Sequence, residues 1–308
     1  MKKRIIANNP NLLFYAANTT YALDGVTNVI NSQTKRAERI VLSDANEGND
    51  FYCPEEFTAS SISYTHEYNL FTESVKCQGW ESLVLPFYVT EITHETKGII
   101  TPFGALQRGS EFENGTKPFW LYEYTTGGSF AESDGIKANV PYILSMPNET
   151  KFSNEYILAG KVTFKSTNAI VKVTSGAKTV KSGNYTFTSN YQNGRSQSVY
   201  LLNVDRNYDG NPKGSVFVKS DLLECQPRPF EAYFQVSGSA GVKSYFSIFD
   251  GLTDGIRSME PAKRNANAEY YQLDGTKRTS LQRGFNIIRT PDGKTQKLLV
   301  RYHDSLSS

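Results

Sequence analysis

Four residue types are scarce in this chain of 308: Cys, His and Met occur three times each and Trp twice. The cysteines, Cys53, Cys77 and Cys225, make no Cys-x-x-Cys pair, which excludes zinc-ribbon and thioredoxin-like readings. A Cys53–Cys77 disulfide across neighbouring strands is one expectation; three separate thiols is the other. His66, His94 and His303 are too few for a His-rich metal site. Long apolar runs are missing too: nothing approaches the roughly 20 residues of a membrane-crossing helix. The start, Met1 to Arg4, imitates the basic end of a signal peptide, but Asn8, Asn9 and Pro10 interrupt the apolar stretch that should follow. The expectation is a cytoplasmic protein or the C-terminal part of a longer exported chain. Charge of one sign is absent as well. Lys and Arg total 33 against 31 for Asp and Glu, a net +2, without the basic excess of a nucleic-acid-binding domain. Finally, no window carries a clean apolar stripe at helical spacing.

What the chain does have is β-type sequence. Aromatics make up 13% of it, nearly all Phe and Tyr, and short apolar runs recur between Gly, Pro, Asn and Asp. In the 61–68 run, Ile62, Tyr64, His66 and Tyr68 share one face, and Ser61, Ser63, Thr65 and Glu67 the other. That is a strand with one buried and one wet face. Leu83-Val84-Leu85 is apolar throughout, as suits a central strand covered on both sides, and Pro86 marks its exit. These signals predict an all-β fold: an antiparallel sandwich-type domain and a small three-stranded C-terminal tail. Residues 1–45 read as the end of a preceding module or as joining strands, and 46–250 as the main domain. Residues 251–268 read as a linker, and 269–308 as the tail, with hairpin signals at Asp274-Gly275 and Asp292-Gly293.

Several patterns could carry chemistry. Asp205, Asn207 and Asp209, with Gly210 after them, match positions 1, 3, 5 and 6 of a calcium loop, but Val216 stands where the bidentate Glu belongs. A plain hairpin turn from Asn203 to Ser215 is the competing reading, and no other cofactor is expected. No Gly-x-Ser-x-Gly, His-Glu-x-x-His or catalytic Cys motif occurs. His66 reads as a hydrogen-bonded sheet residue and His94 as a turn residue beside Glu95. The carboxylate pairs Glu55/Glu56 and Glu91/Glu95 are available for glycoside hydrolysis, although adjacent strand residues point to opposite faces. Trp120, Tyr122 and Tyr124 share one face of a strand, with Phe119 and Leu121 on the other. Such a row suits stacking on sugar rings and is the candidate ligand surface, although aromatics at period two more often form a core. Asp304-Ser305-Leu306 fits a short O-glycosylation signal of some bacteria.

Two longer stretches carry a resemblance. Tyr271-Gln-Leu-Asp-Gly275, Arg283-Gly-Phe-Asn-Ile-Ile-Arg289 and Lys297-Leu-Leu-Val300 resemble the C-terminal tail of secreted Bacteroidales proteins, which is linked to sorting and surface display. Arg278 departs from that pattern, and the chain runs on past its usual end. Upstream, Asp50-Phe-Tyr-Cys-Pro54, Gly79-Trp80, Lys117-Pro-Phe-Trp-Leu121, Ala138-Asn-Val-Pro-Tyr142 and Pro229-Phe-Glu-Ala-Tyr-Phe234 occur in order. This series is similar to the β-module that often follows leucine-rich repeats in Bacteroidales surface proteins. The resemblance implies a non-catalytic, surface-exposed or secreted protein that binds a host glycan or extracellular protein, and a preceding repeat domain in the same polypeptide. It supplies no catalytic residues. A structural cap or stalk for the repeats, which would leave an apolar patch uncovered in residues 1–45, is the alternative. A glycoside hydrolase domain, with a polar cleft holding two carboxylates, is the second.

Overall fold

Alternation of apolar and polar side chains builds most of the strands. The computed structural model describes residues 9–17, 27–44, 49–71, 78–105, 116–150, 152–194, 198–238, 243–248, 269–271, 277–278, 284–289 and 295–300. Cys77, the 251–268 linker, both Asp-Gly turns of the tail and Asp304-Ser305-Leu306 lie outside them. The chain divides into two units, Met1–Asp254 and Gly255–Ser308.

In the first unit, β1 (Phe14–Ala16), β2 (Val29–Asn31), β3 (Arg36–Ser43) and β4 (Phe57–Tyr68) lie side by side. Next come β5 (Trp80–Leu83), β6 (Glu91–His94), β7 (Gly98–Pro102), β8 (Lys117–Tyr124), β9 (Phe130–Glu132), β10 (Tyr142–Ser145) and β11 (Gly160–Val171). They complete a sheet in the order β1-β2-β3-β4-β11-β6-β7-β8-β10-β5, with β9 on β8. A second sheet holds β12 (Thr179–Ser182), β13 (Tyr185–Ser189), β14 (Tyr200–Leu202), β15 (Val216–Lys219), β16 (Ala232–Val236) and β17 (Tyr245–Ser247), in the order β12-β13-β16-β14-β15-β17. The protein is therefore mostly β, as its sequence predicts. Its pairing is not purely antiparallel: β1/β2, β3/β4 and β7/β8 run parallel. Parallel neighbours need a crossover of a dozen or more residues, and long polar segments between short strands do not reveal which strand the chain returns to.

Residues 1–45 supply β1–β3 to the main sheet rather than a body of their own. Ile30, Ala37, Ile40 and Leu42 are buried in the same core as Phe57, Ile62 and Tyr64 of β4. Buried asparagines lock this region. The Asn28 side chain donates to the Pro10 and Val41 carbonyls and accepts the Val41 N–H, while Asn11 bridges Ser43 in the same way. Cys53 is a free, buried thiol that donates to the Glu55 carbonyl, so the Cys53–Cys77 disulfide is not made.

Two cores lie on opposite faces of the β5–β10–β8 strands. Leu83, Tyr142, Leu144, Phe119 and Leu121 point into the first, and Trp80, Ile143 and Tyr124 into the second. Every residue of β10 is buried. The second core is closed by Phe187, Phe217 and Phe234 of the other sheet. The first sheet also curls. His66 of β4 bonds Glu81 of β5 at 2.6 Å, yet β4 and β5 stand six places apart in the sheet order. In a flat sheet that is about 29 Å. Only closure of the two wings brings these side chains together.

In the second unit, β18 (Glu269–Tyr271), β19 (Lys277–Arg278), β20 (Gly284–Arg289) and β21 (Thr295–Val300) form one antiparallel sheet in the order β19-β18-β20-β21. The three-stranded expectation is thus corrected to four. β19 has two charged residues and no alternation, so no pattern announces it. Among the described residues, no helix is long and apolar enough to cross a membrane.

Candidate functional site

The aromatic row of β8 is not a surface platform. Tyr124 is fully buried, and Trp120 and Tyr122 are half-buried against the second core. Tyr122 meets Trp80 edge-on at 5.3 Å, and Trp120 packs against Phe103 at 5.4 Å and Phe152 at 6.2 Å. The reason is architectural. β8 lies between two cores, so both its faces are consumed by packing, and edge-on aromatic contacts stabilise the row.

Protein groups engage the side chains of the calcium-like loop. Asp205 is drawn to the Arg228 guanidinium at 2.7 Å, and the Asn207 side-chain oxygen accepts the Lys213 N–H. Asp209 and Gly210 take the two positive φ angles of a hairpin turn closed by reciprocal Tyr208–Asn211 backbone bonds. Among the described residues no group of three His, Cys, Asp or Glu side chains could hold a metal. The organiser is buried Asn203, whose side chain accepts the Ser215 and Val216 N–H groups and donates to the Arg206 and Pro212 carbonyls. Asn203→Ala is expected to cost about 2–4 kcal/mol, because several buried backbone groups lose their partners. Urea unfolding measures this, and a loss under about 1 kcal/mol would contradict it. Calcium or a chelator should leave the midpoint unchanged. Gly214 then presses the loop onto β5: a Cβ there would lie 2.5 Å from the Trp80 backbone nitrogen.

The carboxylate pairs singled out in the sequence are also engaged elsewhere. Glu55, Glu56 and Glu91 pair with Lys35, Lys172 and Lys165 on the surface. Glu95 accepts the Lys161 N–H, and His94 bonds the Ala159 carbonyl and the Thr96 N–H.

A different group of residues lines a polar cleft of about 500 Å³. Its floor is the inner face of β4. There, alternation puts Tyr64, His66 and Tyr68 side by side. Asp44, just past β3, and Glu81 of β5 close on His66 from either side. Asp44 takes its Nδ1 in a short contact, and Glu81 Oε2 meets its Nε2 at 2.6 Å. The Tyr64 hydroxyl donates to the same Asp44 at 2.9 Å. Burial alone would lower the imidazole pKa. The Glu81 charge and the hydrogen bonds of both carboxylates outweigh it and hold His66 protonated well above its ordinary range. Burial, with the Asp44 charge second, pushes the Tyr64 phenol up.

Glu231 enters the cleft from the residue before β16. Phe230, immediately before it, has φ +66°, a conformation that bulky residues rarely adopt. Its ring is fully buried against Tyr64 at 4.9 Å and Phe51 at 5.6 Å, and that packing holds the strained turn. Glu231 Oε2 accepts the Arg228 backbone N–H at 3.0 Å. Burial pushes its carboxyl up to about 7, opposed by that bond and the Arg228 charge. Sequence reasoning found His66 but not its partners. They lie at separate points of the chain, and only the strained Phe230 turn and the curl of the sheet gather them. No family model, curated protein or solved structure matches this chain.

Proposed function

We propose that this chain is a non-catalytic β-sandwich module of a surface-displayed or secreted protein, and that it binds a glycan in the His66 cleft. The supporting observation is the cleft itself: a concavity lined by donors and acceptors from six separate segments, including the exposed side chains of Asn69 and Lys161. Sugar hydroxyls both donate and accept, so they are matched by such a mixed lining of carboxylates, amide and cations. His66, clamped on both sides, preorganises the lining and removes part of the entropic cost of binding. The test is an array of glycans and matrix proteins probed with the purified chain, an Asn69→Ala/Lys161→Ala double variant and Trp120→Ala. The expected result is specific glycan binding, reduced at least tenfold in the double variant and retained by folded Trp120→Ala. Binding that survives the double variant would remove the cleft as the site.

A second reading, a cap or stalk for a preceding repeat domain, draws on one observation. Leu12 and Tyr15 remain 44% and 37% exposed beside β1, in the segment where that reading expects an uncovered apolar patch. Silence across the array would favour it.

A further inference from the structure

His66 joins two parts of the first sheet that its strand order keeps apart. Its Nδ1 meets Asp44, just past β3, and its Nε2 meets Glu81 of β5 at 2.6 Å. Both ring nitrogens therefore face carboxylate oxygens. An ionised carboxylate only accepts, so the two bonds coexist only while the imidazole carries two N–H groups. The neutral ring has one N–H and one bare acceptor nitrogen. The two carboxylates are not held alike. Asp44 also accepts the Tyr64 hydroxyl at 2.9 Å. The Glu81 side chain has, among the described residues, no hydrogen-bond partner besides His66. The imidazole is 22% exposed, which gives its protons a route to solvent. Tyr68 packs edge-on against it at 4.4 Å and fixes the plane of the ring.

We infer that His66 is a proton-operated clasp across the cleft: charged, it ties β4 to β5 through Glu81, and on losing its Nε2 proton it keeps Asp44 and lets the Glu81 side chain swing free. Loss from Nδ1 is the costlier route, because Tyr64 holds Asp44 in place against the bare lone pair. Glu81 has no such tether. It turns to solvent and leaves the cleft unbridged on the β5 side. The inference does not depend on what the cleft binds. Burial opposes the ring's charge, but the Glu81 charge and the bonds of both carboxylates outweigh it, so the clasp stays shut through the ordinary imidazole range and releases above it. The other groups facing the ring do not work the switch. The Tyr64 and Tyr68 phenols, pushed up by burial, keep their protons throughout. Across the cleft, Asp205 is bonded to the Arg228 guanidinium and Glu231 to the Arg228 N–H. Lys161 of β11 and Glu67 of β4 sit opposite each other at the exposed rim.

The experiment is an NMR titration of the full chain, labelled with nitrogen-15 in its histidine rings, from about pH 5 to about pH 10. The His66 signals are identified by their loss in His66→Gln or by their proximity to Tyr68. The Nε2 signal is expected to move to the unprotonated position while Nδ1 stays protonated, with the Nδ1–H tautomer in at least about tenfold excess. Over the same range, the proximity signal between the ring and the Glu81 side chain should fall at least about fivefold, while that to Tyr68 persists. A glutamine amide accepts from a protonated Nε2 and donates to a bare one, so Glu81→Gln should keep the ring contact at every pH. Glu231→Gln should behave as the parent chain does. Loss of the proton from Nδ1, a ring–Glu81 contact that survives the titration, or a transition that disappears in Glu231→Gln overturns the inference. So does loss of the Tyr68 contact in step with that of Glu81, which would mean that His66 does not titrate within the fold.

Discussion

Phe234→Ala is expected to remove about 4 kcal/mol of stability, a large share of what a domain of this kind has. Phe234 is fully buried on β16, and its ring is the hub of the second core. It lies 4.6 Å from Phe187, 4.8 Å from Phe217, 5.0 Å from Tyr124 and 5.5 Å from Phe246. Truncation removes the transfer free energy of a whole ring and several edge-on contacts. It also leaves a cavity that rings anchored on separate strands of two sheets cannot refill. Phe234→Leu keeps most of the volume and should cost less than half as much. Urea unfolding of the three proteins measures the difference. A loss below about 1.5 kcal/mol for the alanine variant would mean that the two sheets do not depend on this core.

Stability should also fall as pH rises, through two groups of the cleft. Glu231 is held at about 7 in the fold against an ordinary value of 4.5, so the folded chain binds its proton more tightly than the unfolded chain. Its contribution is full below pH 4.5, declines across 4.5 to 7, and is lost above. The shift corresponds to about 3 kcal/mol. His66, also raised, adds in the same direction at higher pH: its contribution is complete below about 6.5 and is lost as pH climbs through its folded value. Glu231→Gln removes the first of these. Relative to the parent chain, it should gain about 3 kcal/mol between pH 4 and pH 8 while keeping the His66 decline. Denaturant midpoints at several pH values check this. Parallel pH profiles for the two proteins would show that the Glu231 carboxyl is not shielded as described.

How far the chain could be read beforehand differs from strand to strand. The 61–68 run was legible because period-two alternation is a local property. Ile62, Tyr64 and Tyr68 are buried and Ser61 and Glu67 exposed, as that pattern requires. Leu83 to Leu85 is likewise buried where an unbroken apolar run predicts it. The β8 row shows the limit. Trp120, Tyr122 and Tyr124 have the same spacing whether the face beyond them is solvent or a second sheet, and here it is a second sheet. The Asp205 loop shows it again. Its spacing alone does not show that Asp205 bonds Arg228, far along the chain, or that Asn207 accepts the Lys213 N–H.

By itself, then, the amino-acid order determined the β class, the faces of the long strands and the hairpin turn at Asp209-Gly210, because each depends on neighbours a few residues apart. Tertiary structure alone decided the parallel pairings, the double burial of β8 and β10, and the cleft. Asp44, His66, Glu81 and Glu231 meet only because the first sheet curls until β4 faces β5 and a packed, strained Phe230 turns the next carboxyl inward. Both depend on contacts between residues far apart in the chain, and no local periodicity records them.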